Sequence, residues 1–195
     1  MSKLIIFDLM DTIVVDPFSK LFPSLCGMTM RQLLEVKDPE SWILFELGEI
    51  TEDEYFERFY RRETNLRLDN TRWFKERIFA SYEFVEGMER LLEELKRSNY
   101  QLWVHSNYPV WFEVVRDRLG LDRFFKGYVL SYEIRARKPD CTAYKRALGR
   151  INALPRECTF IDDREANVEA ARRFGLSAIL FRDVSTLVED LRLAL

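Results

Sequence analysis

Five short apolar runs constrain this chain more than any other feature: "KLIIF" (3–7), "QLWVH" (101–105), "GYVLS" (127–131), "CTFI" (158–161) and "SAILF" (177–181). Each is continuous, without alternation of apolar and polar residues, which suits strands buried on both faces of a parallel sheet. Helical patterns separate the last four. "GMERLLEELKRSN" (87–99) places Met88, Leu91, Leu92 and Leu95 on one stripe, with charged residues opposite. "YPVWFEVVRDRLG" (108–120) ends at Gly120, a residue suited to a helix C-cap. "CTAYKRALGRIN" (141–152) and "REANVEAARRFG" (164–175) fill the next two crossovers. This repetition predicts an α/β fold, a doubly wound, Rossmann-like parallel sheet.

The stretch 15–85 breaks the rhythm. It holds no convincing strand and is rich in aromatic and charged residues, as in "SWILFELGEITEDEYFERFYRR". Thr51 followed by Glu54 fits a capping box, and Tyr55, Phe56, Phe59 and Tyr60 form an apolar stripe after it. The expected organisation is a core of residues 1–14 and 86–195, with 15–85 inserted as an α-helical cap. The alternative is a helical extension of the core.

Composition narrows the function. Hydrophobic residues make up 47% of the 195 and charged residues 32%, as in a soluble globular protein. A net charge of −3 argues against nucleic acid as a partner. No apolar run approaches the roughly 18 residues that would suggest a membrane span. "MSK" leads straight into the first strand, so a signal or transit peptide is not expected in this chain. That favours the cytoplasm, or the chloroplast stroma had a transit peptide been removed. Cys26, Cys141 and Cys158 are far apart and suggest neither a disulfide framework nor a zinc site.

In an open parallel sheet, ligands bind beyond the carboxyl ends of the strands. Asp8 ends the first strand, Ser106 and Asn107 end the second, Lys138 lies in the loop after the third, and Asp162 and Asp163 end the fourth. Singly, each has an ordinary reading. Asp8 can start a turn, Ser106 and Asn107 can cap a helix, Lys138 can be a solvated loop residue, and Asp162–Asp163 can open a helix. Together they place a nucleophile candidate, a hydroxyl, an amide, a cation and two acids on one rim.

The series "IIFDLMDT", "VHSN", "KPDCTAY" and "FIDDREANVEAA" resembles the four motifs of the haloacid dehalogenase superfamily, in their usual order. The resemblance spans the core, and the insertion falls where that family carries a helical cap. It implies that Asp8 is the nucleophile, that Mg2+ is the cofactor, and that the partner is a small-molecule phosphomonoester. Asp8, Asp162, Asp163 and the backbone carbonyl of Met10 would supply the metal ligands. Asp163 is favoured as a direct ligand, with Asp162 direct or through water. Lys138 would neutralise Asp8 and phosphate charge. Ser106 and the backbone N–H groups after it would bind phosphate oxygens at a helix start, and Asn107 would position its neighbours.

One position departs from the pattern. Phosphatases of this superfamily usually place an aspartate two residues after the nucleophile, and here that residue is Met10. Three explanations compete. Asp11 takes over proton transfer; or the reaction needs no such proton, as in a metal-free haloacid-type dehalogenase; or the fold is a non-catalytic phosphoester-binding module. The carboxylate pair after the fourth strand speaks against the second, because clustered carboxylates are costly without a cation. The presence of every other part speaks against the third. For Asp11 itself, the competing reading is a loop acid that bonds backbone N–H groups.

"FDLMDTIVVDPF", "SWILFELGEI", "SNYPVWF" and "KPD" further resemble the flavin mononucleotide hydrolases of plants and algae, a group that also carries Met-Asp at this place. That resemblance implies flavin mononucleotide as substrate. Phe18, Trp42, Phe45, Tyr108 and Trp111 are then candidates to face a flat ring, although aromatics at 14% of the chain chiefly serve packing. His105 is expected to be structural, turned away from Ser106 by strand alternation. A monomer and a dimer are equally compatible with the sequence.

Overall fold

A computed structural model of the chain describes residues 4–194. Its five strands are β1 (Leu4–Phe7), β2 (Gln101–Ser106), β3 (Gly127–Leu130), β4 (Cys158–Asp162) and β5 (Ser177–Leu180). All pair in parallel, in the order β3-β2-β1-β4-β5. The five apolar runs of the sequence therefore become the five strands. The chain winds outward from β1 through β2 and β3, then crosses back to β4 on the other side. β1 and β4 thus flank the switch point where such sheets bind ligands. Phe7 is paired with Val104 and with Ile161, and the Asp8 N–H still donates to the Ile161 carbonyl at 2.7 Å. That register delivers Asp8 to the end of β4 as well as of β1.

Helices α1 (Pro17–Leu25), α2 (Met30–Val36), α3 (Ser41–Glu46), α4 (Glu52–Glu57) and α5 (Thr71–Ala80) lie between β1 and β2. The expected capping box is present: Thr51 accepts from the Glu54 N–H, and Glu54 accepts from the Thr51 N–H at 2.7 Å. Two connecting strands of chain run side by side where this segment leaves and rejoins the sheet. The Val85 N–H donates to Ile13 and the Val15 N–H to Glu83.

The remaining helices are α6 (Met88–Arg97), α7 (Phe112–Leu119), α8 (Ser131–Ile134), α9 (Cys141–Ile151), α10 (Glu165–Arg173) and α11 (Val184–Ala194). Side-chain alternation on β1 assigns its two faces. Ile5 and Phe7 join a cluster with Leu92, Val115 and Leu187, while Ile6 packs with Tyr144, Leu148 and Ala171. The first cluster continues without a break into Tyr55 and Phe74 of the inserted helices and Phe59 just after α4.

One helix starts later than its sequence pattern suggests. The expected helix 108–120 begins at Phe112, because Pro109 disfavours helical backbone at Tyr108. Its end is as expected, with Gly120 in the left-handed conformation at φ 60°. The late start leaves Asn107, Tyr108 and Pro109 as a loop across the rim.

Candidate active site

Lys138 organises the rim. It is buried, and its ammonium donates to Asp8 Oδ1 and to Asp162 Oδ2, each at 2.6 Å. A lysine that sequence alone leaves open as a solvated loop residue is thus enclosed between two acids. Asn107 holds it there by a two-pronged clamp. The Asn107 Nδ2 donates to the Lys138 carbonyl at 2.8 Å, and the Lys138 N–H donates to Asn107 Oδ1 at 2.9 Å. The Lys138–Pro139 peptide is cis.

The two later acids differ in availability. Asp162 is fully buried and engages both oxygens: Oδ2 with Lys138, and Oδ1 with the Arg164 N–H and Asn167 Nδ2, both at 2.9 Å. Asp163 is half-buried. Asp8, Asp162 and Asp163 each present an oxygen within 4.8 Å of those of the other two.

Electrostatics make this cluster short of positive charge. Burial pushes Asp8 up to about 7, although Lys138 opposes that rise; Asp162 and Asp163 add to it. Burial, then the neighbouring Asp162, pushes Asp163 up to about 6. Burial acts to lower Lys138, but Asp162 and Asp8 outweigh it and hold the ammonium charged. With all groups ionised, three carboxylates face one ammonium and leave two negative charges. A divalent cation with a preference for oxygen, such as magnesium, matches both that charge and that donor set.

A cavity of about 340 Å³ opens above these residues. Asp8, Met10, Asp11, Ser106, Asn107 and Lys138 line its floor. Phe18, Trp42 and Tyr108 line its walls. Phe45 and Trp111 do not. Phe45 stacks on Tyr55 with ring centres 5.0 Å apart, and Trp111 packs edge-on against both rings. Both are buried inside the aromatic cluster, because the short helix α3 turns Phe45 to the interior while Trp42 reaches the cavity.

Two other expectations change in detail. The backbone after Ser106 does not run into a helix start. Helix α7 begins at Phe112, Pro109 has no N–H, and the Tyr108 N–H is already donated to Ser131 Oγ at 3.0 Å. The buried Ser106 hydroxyl itself does line the cavity. Asp11 is exposed and in the left-handed region at φ 54°, where its Oδ1 accepts from the Asp16 N–H at 2.9 Å. It therefore has the loop contact of the ordinary reading, and it also borders the cavity. His105 matches its structural reading: Nδ1 bonds the Val129 carbonyl at 3.1 Å, and burial, aided by Lys138, lowers it to about 3.

The cavity also contains polar residues that sequence reasoning missed. Asp16, Lys37, Glu46, Arg137, Arg164 and Asn167 all reach it. Glu46 is buried and paired with Arg137 at 2.6 Å, which ties α3 to the residue before Lys138. Asp16 caps α1 by accepting from the Phe18 N–H, and burial raises its carboxyl above the usual range. The Ser/Thr/Asp/Asn-before-helix rule could have found Asp16 as a cap; nothing local marks the others.

Similarity to known proteins accords with this site. A family model described as haloacid dehalogenase-like hydrolase matches residues 2–175. The chain is 36% identical over 188 residues to chloroplast flavin mononucleotide hydrolase 1 of Arabidopsis thaliana, covering 96% of this chain and 76% of that protein. It is 25% identical over 173 residues to a sesquiterpene phosphatase of Aspergillus oryzae, covering 85% and 84%. A haloacid dehalogenase family enzyme of Bacteroides thetaiotaomicron, solved in complex with magnesium and inorganic phosphate, superposes with a TM-score of 0.78 at 20% identity, over 96% of this chain and 99% of that one. No helix among the described residues is long and apolar enough to cross a membrane. With the family model spanning the sheet from β1 to α10 and phosphatases among its relatives, the chain belongs to the haloacid dehalogenase-like hydrolases.

Proposed function

We propose that this enzyme hydrolyses phosphomonoesters through an aspartyl-phosphate on Asp8, with magnesium as cofactor and flavin mononucleotide as substrate. The observation that carries the reaction is the convergence of Asp8, Lys138, Asp162 and Asp163 beneath one cavity. The flavin is supported by the extent of similarity to the Arabidopsis hydrolase, whose chloroplast designation also supports the stromal alternative for location. Residues 15–85 act as the cap that roofs the substrate, and Phe18, Trp42 and Tyr108 flank its ring.

Asp8 attacks phosphorus, the bond to the ribityl oxygen breaks, and the phosphoryl group is carried on the Asp8 carboxylate. Water then releases inorganic phosphate and restores Asp8. Lys138 orients the Asp8 carboxylate through its 2.6 Å bond, and the Asn107 clamp fixes Lys138. Ser106 donates its hydroxyl to a phosphate oxygen. Asp8, Asp163 and the Met10 carbonyl would hold magnesium, with Asp162 supporting them from behind. When bound, the ion offsets repulsion between the phosphate dianion and the nucleophile, and stabilises transition-state charge.

Asp11 supplies the proton that Met10 cannot. Its replacement by Asn keeps an acceptor for the Asp16 N–H and tolerates the left-handed backbone, but removes the acid. Asp11→Asn should therefore slow hydrolysis of an alkyl phosphate such as flavin mononucleotide by about 10²–10⁴. An activated aryl phosphate, whose leaving group departs with little protonation, should lose far less. Equal losses on both substrates would assign Asp11 to loop shape alone.

The function as a whole is tested by assaying a panel of phosphomonoesters with magnesium and with excess chelator. Turnover of flavin mononucleotide that disappears on chelation is the expected result. Undiminished turnover in chelator, or release of halide from a haloacid in place of phosphate release, would overturn it.

A further inference from the structure

Lys37 is the C-cap residue of α2 and only 9% exposed, yet it lies on the cavity wall. Its ammonium donates to the Asp38 carbonyl at 3.2 Å and lies 5.7 Å from the centre of the Phe59 ring. Among the described residues, no carboxylate lies within ion-pairing distance of it. The acids that act on it from further away are Asp38 and Glu46, and both are engaged elsewhere. Asp38 Oδ1 accepts from the N–H groups of Glu40 and Ser41, and Glu46 is paired with Arg137.

The contrast with Lys138 is instructive. Lys138 is more deeply enclosed but has a carboxylate on either side. Lys37 keeps donors unspent against a wall that includes Phe18, Leu34, Pro39, Trp42 and Ile43. Burial pulls its ammonium down to about 8. An unpaired buried cation is costly, a cost that an apolar residue at this position would avoid. A ligand that accepts from the ammonium offsets it.

We propose that Lys37 selects the leaving group, by donating to an acceptor oxygen on the part of the substrate that departs from phosphorus. The phosphate is claimed by the floor residues, so a group on the inserted helices meets the other half of the molecule. Apolar and aromatic side chains around the Lys37 ammonium fit a flat ring with oxygen acceptors on one edge. This rests on the flavin reading above, under which the acceptor is a carbonyl of the ring's dione edge.

The test compares flavin mononucleotide with ribitol 5-phosphate, which keeps the phosphate and the alkyl chain but lacks the ring. The readout is the ratio of kcat/KM for the two, which is independent of the fraction of protein that is folded. In Lys37→Met that ratio should fall about 10- to 100-fold, the range of a hydrogen bond to a charged group. Lys37→Arg, which keeps a charged donor, should retain more of it. A ratio unchanged in Lys37→Met would overturn the role of Lys37 while leaving the substrate in place. A wild-type enzyme that hydrolyses ribitol 5-phosphate but not flavin mononucleotide would instead overturn the flavin reading, and the dione-edge acceptor with it.

Discussion

Asp8→Asn should lower turnover on the order of 10⁶-fold, the scale seen when a covalent nucleophile is removed from an otherwise complete site. The amide has nearly the size and shape of the carboxylate and can still accept from Lys138, so the floor of the cavity keeps its form. What it lacks is the charge and nucleophilicity needed to attack phosphorus. Riboflavin, the product of the proposed reaction, should still bind, and its fluorescence offers a direct measure. Parallel loss of product binding and turnover would mean that Asp8 supports the cavity and does not act as nucleophile. Residual turnover within about tenfold of wild type would remove it from the chemistry altogether.

Lys138→Met should destabilise the fold as well as stop the reaction. The substitution preserves length but leaves two buried carboxylates without their shared cation. Breaking a buried pair in this way costs about 3–5 kcal/mol. For a chain of this size that corresponds to a fall of roughly 6–20 °C in the unfolding midpoint. The sign of the pH dependence follows from Asp8. Its folded pKa of about 7 already lies above the ordinary aspartate value of 3.8, even with Lys138 present, and loss of the ammonium moves it further in the same direction. The folded state then binds more protons than the unfolded one, so stability falls as pH rises through that interval. The deficit of Lys138→Met should accordingly be large at pH 8 and shrink toward pH 5. A deficit independent of pH would show that packing, and not charge, is what Lys138 contributes.

The parts of this protein that could be read from the sequence are those governed by local pattern or by strand order. Continuous apolar runs encode burial on both faces, so β1 to β5 stand out without any knowledge of their partners. Parallel winding puts the carboxyl end of every strand on one edge, so Asp8, Ser106, Asn107 and Asp162 had to share a rim once the strands were known. Thr51 and Gly120 were legible for the same reason, since caps act within a few residues of themselves. The start of α7 was misread where the Pro109 signal competed with a strong apolar stripe.

Other features depend on which elements pack over a side chain, and no local signal carries that information. Phe45 and Trp42 are three residues apart on one short helix and both pack against Tyr55, yet only Trp42 also borders the cavity. The Asn107 clamp on Lys138 joins residues 31 positions apart. The engagement of both Asp162 oxygens, which leaves Asp163 the freer acid, required Lys138, Arg164 and Asn167 to meet at one point. Lys37 looks like any other charge in a chain that is 32% charged. Only the helices folded around it make it a buried cation without a carboxylate, because the energy of a charge is set by the medium and the partners that tertiary structure places around it.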